Sequence, residues 1–299
     1  MDSDSTEHFD GGAQHRWVGF VDLLGYRNLV LCEKRSDAER IRLIKSIYSA
    51  LIQPIDDLNS DEAMGDTVGG DRVERIHFSD CFYFFSKSAV AVANSMASFF
   101  SSAFLLYETV YQRDASSWIP FLRGGIAGGW TLTFRDPTVR TGQGALFGDW
   151  IEQARPTAIF RNPVGPSVAK AYMVSEEQHV SGMRLLTTGD FAERYQQEMA
   201  SMKRDANGMI AQKLTPQPID QTVIEKHRKI LGEKLYEIPW PRCLEFGHWI
   251  ENFANTRKRQ FDPESMKHWD ATYALLLRSA RDNNDQLILR HLKAINQDL

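Results

Sequence analysis

Trp17-Val18-Gly19-Phe20-Val21-Asp22-Leu23-Leu24-Gly25-Tyr26-Arg27 is the stretch on which the reading of the fold turns. From Trp17 to Val21 the residues are apolar with no polar alternation, the pattern of a central strand covered on both faces. Gly25 then lets the chain turn closely. Asp22 is thereby predicted at a strand terminus, a place where an α/β sheet gathers ligands.

A second stretch, Val73 to Phe85, is organised in the same way. Two runs of strand-forming residues, Val73 to Phe78 and Cys81 to Phe85, flank Ser79-Asp80 with room only for a tight turn, so Asp80 is expected at a hairpin tip. If the hairpin lies beside the first strand, Asp22 and Asp80 converge. Two carboxylates at one sheet end make a hard, oxygen-rich site suited to Mg²⁺ or Mn²⁺ carrying a phosphate group. Taken singly, Asp22 also reads as a helix cap and Asp80 as an ordinary turn residue.

The remaining chain alternates helices and strands. Helical spacing of Ile41, Ile44, Ile47, Tyr48 and Leu51 predicts a helix over 36–52, with Ser36-Asp37 at its N-cap. Residues 56–71 are acidic and glycine-rich, hence a loop. Residues 88–107 carry no charge and approach the length of a membrane span. Their five serines and Asn94 favour instead a long helix packed on the sheet. Strands are expected at Ile119 to Ala127, Trp130 to Phe134 and Met183 to Thr187, and helices from Gly165 and over 190–202. Residues 203–225 read as a polar excursion. An edge strand from Leu235 is stopped by Pro239, and three helices follow, over 244–254, 263–282 and 286–299. The N-terminus of the helix after Gly165 is expected near the sheet end, where its dipole favours an anion. A strand, helix, hairpin, helix, strand order is that of a ferredoxin-like palm. The expected organisation is a disordered tail over 1–15, a catalytic domain over 16–242 and an α-helical appendage over 243–299.

Composition narrows the classes of function. At 299 residues, 42% of them hydrophobic and 25% charged, the chain can bury a sizeable core. A net charge of −4 gives no general drive toward nucleic acid or anionic membrane. Three widely spaced cysteines without a C-x-x-C argue against a disulfide framework or zinc site and for a reducing cytoplasm. The eight histidines include no H-E-x-x-H, and Gly165-Pro166-Ser167-Val168-Ala169 lacks the last glycine of a nucleophile elbow. Gly69-Gly70-Asp71 continues as Arg72-Val73 and so departs from a G-G-D-E-F signature.

A third piece, Phe121-Leu122-Arg123-Gly124-Gly125-Ile126-Ala127-Gly128-Gly129, completes a series. A strand with D-x-x-G-aromatic, then S-D at a hairpin, then R-G-G-I-x-x-G resembles the class III nucleotidyl cyclase domain over roughly residues 16–240. Gly165-Pro166-Ser167-Val168-Ala169-Lys170-Ala171 is similar to the family's G-x-x-V-x-x-A helix. The resemblance implies two metal ions, Mn²⁺ or Mg²⁺, on Asp22, the carbonyl of Leu23, and Asp80. It implies triphosphate contact through Arg123, with Phe20, Gly25 and Tyr26 around the substrate. The family's purine-selecting Lys falls at Ile76, and its transition-state Asn and Arg fall at Ala169 and Met173. Arg161 and Lys170 are candidate replacements, each also readable as a solvated surface charge. With these departures the chain is more similar to the Pycsar cyclases, bacterial antiphage enzymes that make cyclic UMP or cyclic CMP. That resemblance implies a homodimer and a separate cyclic-nucleotide-binding effector. UTP is favoured because Arg161 or Asn162 offers a donor to a base carbonyl. The alternatives are a cytidylate cyclase, another palm-type nucleotidyltransferase, and a degenerate domain retained for binding or dimerisation.

Overall fold

The computed structural model describes residues 12–24, 26, 36–42, 44–45, 51, 73–78, 80–113, 121–135, 161–176, 181–202, 213–219, 234–243 and 263–282. Gly25, the loop at 56–71, the helices over 244–254 and 286–299 and most of the N-terminal tail lie outside the described residues. Strand β1 (Gln14–Leu24) is followed by the hairpin β2 (Glu74–Phe78) and β3 (Cys81–Ser86). Helix α1 (Ala89–Arg113) leads into β4 (Phe121–Arg135), then β5 (Arg161–Val164) and α2 (Pro166–Ser175). There follow β6 (Arg184–Thr188), α3 (Gly189–Ser201), β7 (Gln217–Pro218), β8 (Leu235–Glu237), a 3₁₀ turn (Trp240–Cys243) and α4 (Pro263–Asp282).

The main path of the sheet runs β2-β3-β1-β4-β6-β8-β7, and β5 pairs with the far end of β4. Its first four strands are antiparallel neighbours, with β3 set between β1 and β2. This is the split βαβ order of the ferredoxin-like palm, extended by a parallel β4·β6 pair. Trp17, Val18, Phe20, Val21 and Leu23 are all buried, as the unbroken apolar run requires of a central strand. β1 starts at Gln14, two residues inside the expected tail, because Gln14 and His15 pair with Thr131 and Trp130.

The two strands expected around Arg123 are one strand of 15 residues. Gly128 and Gly129 do not interrupt it. At Gly128 a Cβ would come within 2.2 Å of the Trp17 ring, so the missing side chain makes room for a neighbour rather than a turn. β8 is not an edge strand, since the two-residue β7 covers its outer side.

The two sheet faces differ. On one, Trp17, Val21, Phe82, Phe84, Leu122 and Ile126 meet Met96, Phe99, Phe100 and Phe104 of α1 in the main apolar core. The charge-free stretch is thus a buried helix, and no helix among the described residues is long and apolar enough to cross a membrane. α4 joins the same core through Trp269, Tyr273, Leu275 and Leu276, and the Thr272 hydroxyl accepts a hydrogen bond from the Met183 amide at 2.9 Å. On the other face α2 lies over β4. Only glycine fits at Gly125, where a Cβ would lie 2.2 Å from the Ala171 carbonyl oxygen and 2.5 Å from the Ser175 amide.

Candidate metal and phosphate site

Register assembles the site. Asp22 stands opposite Cys81 of β3 and opposite Arg123 of β4, so these three residues form one row across adjacent strands. Side chains alternate along a strand, and the row therefore shares the α2 face with Phe20, Tyr83 and Gly125 in the next row but one. Phe78 pairs with Cys81, leaving a two-residue tip that carries Asp80. The tip is pinned to the end of β1, for the Leu23 amide donates to the Asp80 carbonyl at 3.2 Å. The two carboxylates expected to converge do so.

Asp22, Asp80 and Cys81 present their oxygen and sulfur atoms within 4.8 Å of one another. The Cys81 thiol lies 3.9 Å from an oxygen of each carboxylate. Arg123 holds Asp22 from the other side, with Nε at 3.0 Å and an Nη at 2.8 Å from Oδ2. The same Nη meets the carboxylate of Glu176, the residue that ends α2. Burial raises the Asp22 carboxyl above its usual range; Arg123 opposes the shift, and Asp80 adds to it. Burial and the two adjacent aspartates push the Cys81 thiol up to about 12, so at neutral pH it carries its proton. Burial also raises the Tyr83 hydroxyl.

These residues fit a hard divalent cation. Two carboxylates converge on one point, one of them buried at a cost that a cation would relieve, and the neighbouring sulfur is a neutral thiol. Among the described residues, Asp22 and Glu176 share one guanidinium and Asp80 adds a third carboxylate beside Asp22, an excess of negative charge.

Beside the carboxylates is an apolar shelf. The Phe20 ring meets Tyr83 edge-on at 5.2 Å and Tyr172 of α2 at 5.4 Å. Ile76 lies opposite Tyr83 and packs against the same cluster. Tyr26 packs into the main core instead. Lys170 sits midway along α2, where it is half-buried. Arg161 pairs with Arg135, twelve positions along β4 from Arg123, or up to roughly 40 Å of strand. Within one chain Arg161 therefore stands well away from the row.

The helix after Gly165 is oriented the other way from the sequence expectation. Ser167 of its first turn lies against Gly129, and Ser175 at its end lies against Gly125. The C-terminal end of α2 thus faces Asp22, and the dipole there favours a cation. Glu176, Cys81, Tyr83 and Tyr172 were not foreseen. Cys81 and Tyr83 could have been found by alternation, since they share a strand face with each other and flank the S-D tip. Glu176 carries no local signal.

The chain is similar in structure to several solved cyclases. It matches the guanylyl cyclase Cya2 with a TM-score of 0.46 at 11% identity, over 77% of this chain and 93% of that one. It matches the adenylyl cyclase CyaB from P. aeruginosa at 0.45 and 14%, over 76% and 96%, and a bacterial light-regulated adenylyl cyclase at 0.48 and 12%, over 89% and 60%. No family model matches the sequence. No curated protein matches it either.

Proposed function

We propose that this chain is a nucleotidyl cyclase of pyrimidine preference that converts UTP to 3′,5′-cyclic UMP and pyrophosphate. The observation that carries the reading is the convergence of Asp22 and Asp80 at one sheet end with Arg123 in the same row. Asp22 and Asp80, with the Leu23 carbonyl, would hold two divalent cations, Mn²⁺ or Mg²⁺. When bound, such ions neutralise a triphosphate and ease loss of the 3′-hydroxyl proton. The 3′-oxygen attacks the α-phosphorus, the bond to the β-phosphate oxygen breaks, and pyrophosphate departs. Arg123 suits those phosphates because its guanidinium presents a fixed fork of donors.

The apolar shelf supports the choice of base. Phe20 and Tyr83 offer stacking, and Ile76 has no side-chain donor at the position where the class III cyclases that the motifs resemble carry a purine-selecting Lys; a polar base edge left unpaired there costs about 1–3 kcal/mol. A pyrimidine loses less there. UTP is preferred to CTP on the expectation that Arg161 or Asn162 donates to a carbonyl, and Lys170 is the other proposed substrate contact. Arg161 and Asn162 lie far from Asp22 along one chain, so they fit a homodimer in which one copy completes the site of the other. A cytoplasmic antiphage role, with a separate effector that binds the cyclic nucleotide, is proposed on the motif resemblance alone.

Incubation with Mn²⁺ and all four NTPs at equal concentration, with products identified by mass, tests the reading. Cyclic UMP is expected as the main product. Cyclic CMP would change the base, cyclic AMP or cyclic GMP would overturn the pyrimidine preference, and no cyclic product would leave a binding module.

A further inference from the structure

Arg123 and a divalent cation have use for the same carboxylate. Both of the guanidinium's contacts to Asp22 fall on Oδ2, at 3.0 and 2.8 Å, and Asp22 is one of the two carboxylates placed to hold a cation. The same Nη also reaches Glu176. Glu176 is the C-cap of α2, so it sets a negative charge on the negative end of a helix dipole. A residue placed against a local preference needs a compensating partner, and the partner on this face is Arg123. Asp22, Arg123 and Glu176 are each about a sixth to a quarter exposed, at 17%, 27% and 23% of their side chains. That is sheltered enough for the pairs to matter and open enough for the guanidinium to move.

We propose that Glu176 is a positioning residue that receives Arg123 when Asp22 exchanges the guanidinium for a divalent cation. With Glu176 present, Arg123 keeps a carboxylate partner on leaving Asp22 and stays beside the row, turned toward the place a triphosphate would take. Without Glu176, Asp22 is the carboxylate left to Arg123 among the described residues, and cation binding must break that pair without a described replacement. The inference rests on the two-carboxylate site proposed above and extends it to a residue of α2.

The test is Mn²⁺ binding without nucleotide, followed by loss of the free-ion electron paramagnetic resonance signal. Wild type, Glu176→Gln, Arg123→Gln and the double variant are compared at matched circular dichroism. Glu176→Gln should weaken Mn²⁺ binding about tenfold, the scale of one charge-assisted hydrogen bond. Arg123→Gln should tighten it. In the Arg123→Gln background the Glu176→Gln change should fall within about twofold, because non-additivity marks residues acting as a pair. Equal weakening in both backgrounds would reduce Glu176 to a nearby negative charge, and no weakening in either would remove its role; each result overturns the proposal. Glu176→Ala reads the same coupling if the Gln variant does not fold. Asp22→Asn and Asp80→Asn, run alongside, separate the two readings. If they bind Mn²⁺ as wild type does, the cation site itself is elsewhere; if they lose it while Glu176 shows no coupling to Arg123, only the handover fails.

Discussion

Asp22 is held in a way that suits chemistry better than stability. Its carboxyl titrates above the usual range because burial penalises the charge more than Arg123 relieves it. A folded-state pKa above the unfolded one contributes stability only while the group is protonated, and that contribution fades as pH rises through the folded value. In its charged form Asp22 is therefore a burden on the fold. Asp22→Asn should reduce turnover to background yet leave the melting temperature unchanged or higher, and Asp80→Asn should also abolish turnover. A clear fall in the melting temperature of Asp22→Asn at pH 7 would show that its pair with Arg123 outweighs its burial. Cys81 gives a second reading of the same field. With its thiol at about 12, alkylation by iodoacetamide should be slow at pH 7–8 and accelerate toward high pH. Neutralising either aspartate should speed it at fixed pH. Peptide-resolved mass spectrometry distinguishes Cys81 from Cys32 and Cys243.

Among the elements, β4 and α2 set the geometry of the row. The close approach of α2 at Gly125 places Glu176 against Arg123. Gly125→Val should thus lift the helix, cost about 1–3 kcal/mol of stability by overpacking, and weaken Mn²⁺ binding as well. Chemical unfolding and the Mn²⁺ titration check the two parts; an unchanged unfolding midpoint would mean that α2 yields freely. Most elements were legible in the sequence for simple reasons. The apolar run at 17–21, the Ser79-Asp80 tip and the periodicity over 263–282 are local signals, and β1, the β2-β3 hairpin and α4 follow them. What was not legible depends on tertiary neighbours. Whether Gly128-Gly129 breaks a strand is decided by the Trp17 ring packed over Gly128, and whether α2 offers its head or its tail to Asp22 is decided by where β5 leaves β4. Glu176 came to the site by that second route, which no spacing in the sequence records.

For the whole molecule, α4 packs into the palm's own core. Trp269 stacks on Tyr273 with ring centroids 5.0 Å apart. Arg278 joins Arg184 on the buried carboxylate of Glu237, so β6, β8 and α4 share one ion-paired cluster. The polarity of α2 has a consequence for the order of events in solution. An arriving polyphosphate meets the negative end of a helix, three carboxylates and a chain of net charge −4, with Arg123 already engaged. Free nucleotide should be turned away, and only its cation complex, or nucleotide following the cation, should be admitted. Equilibrium binding in excess EDTA at low ionic strength should detect no UTP, and initial-rate patterns in Mn²⁺ and UTP should show a compulsory sequence rather than random entry. Tight UTP binding in EDTA would mean that Arg123 exchanges carboxylates for phosphates unaided. Under the proposed function, the supply of divalent cation, and not of nucleotide, would decide when the site can be filled.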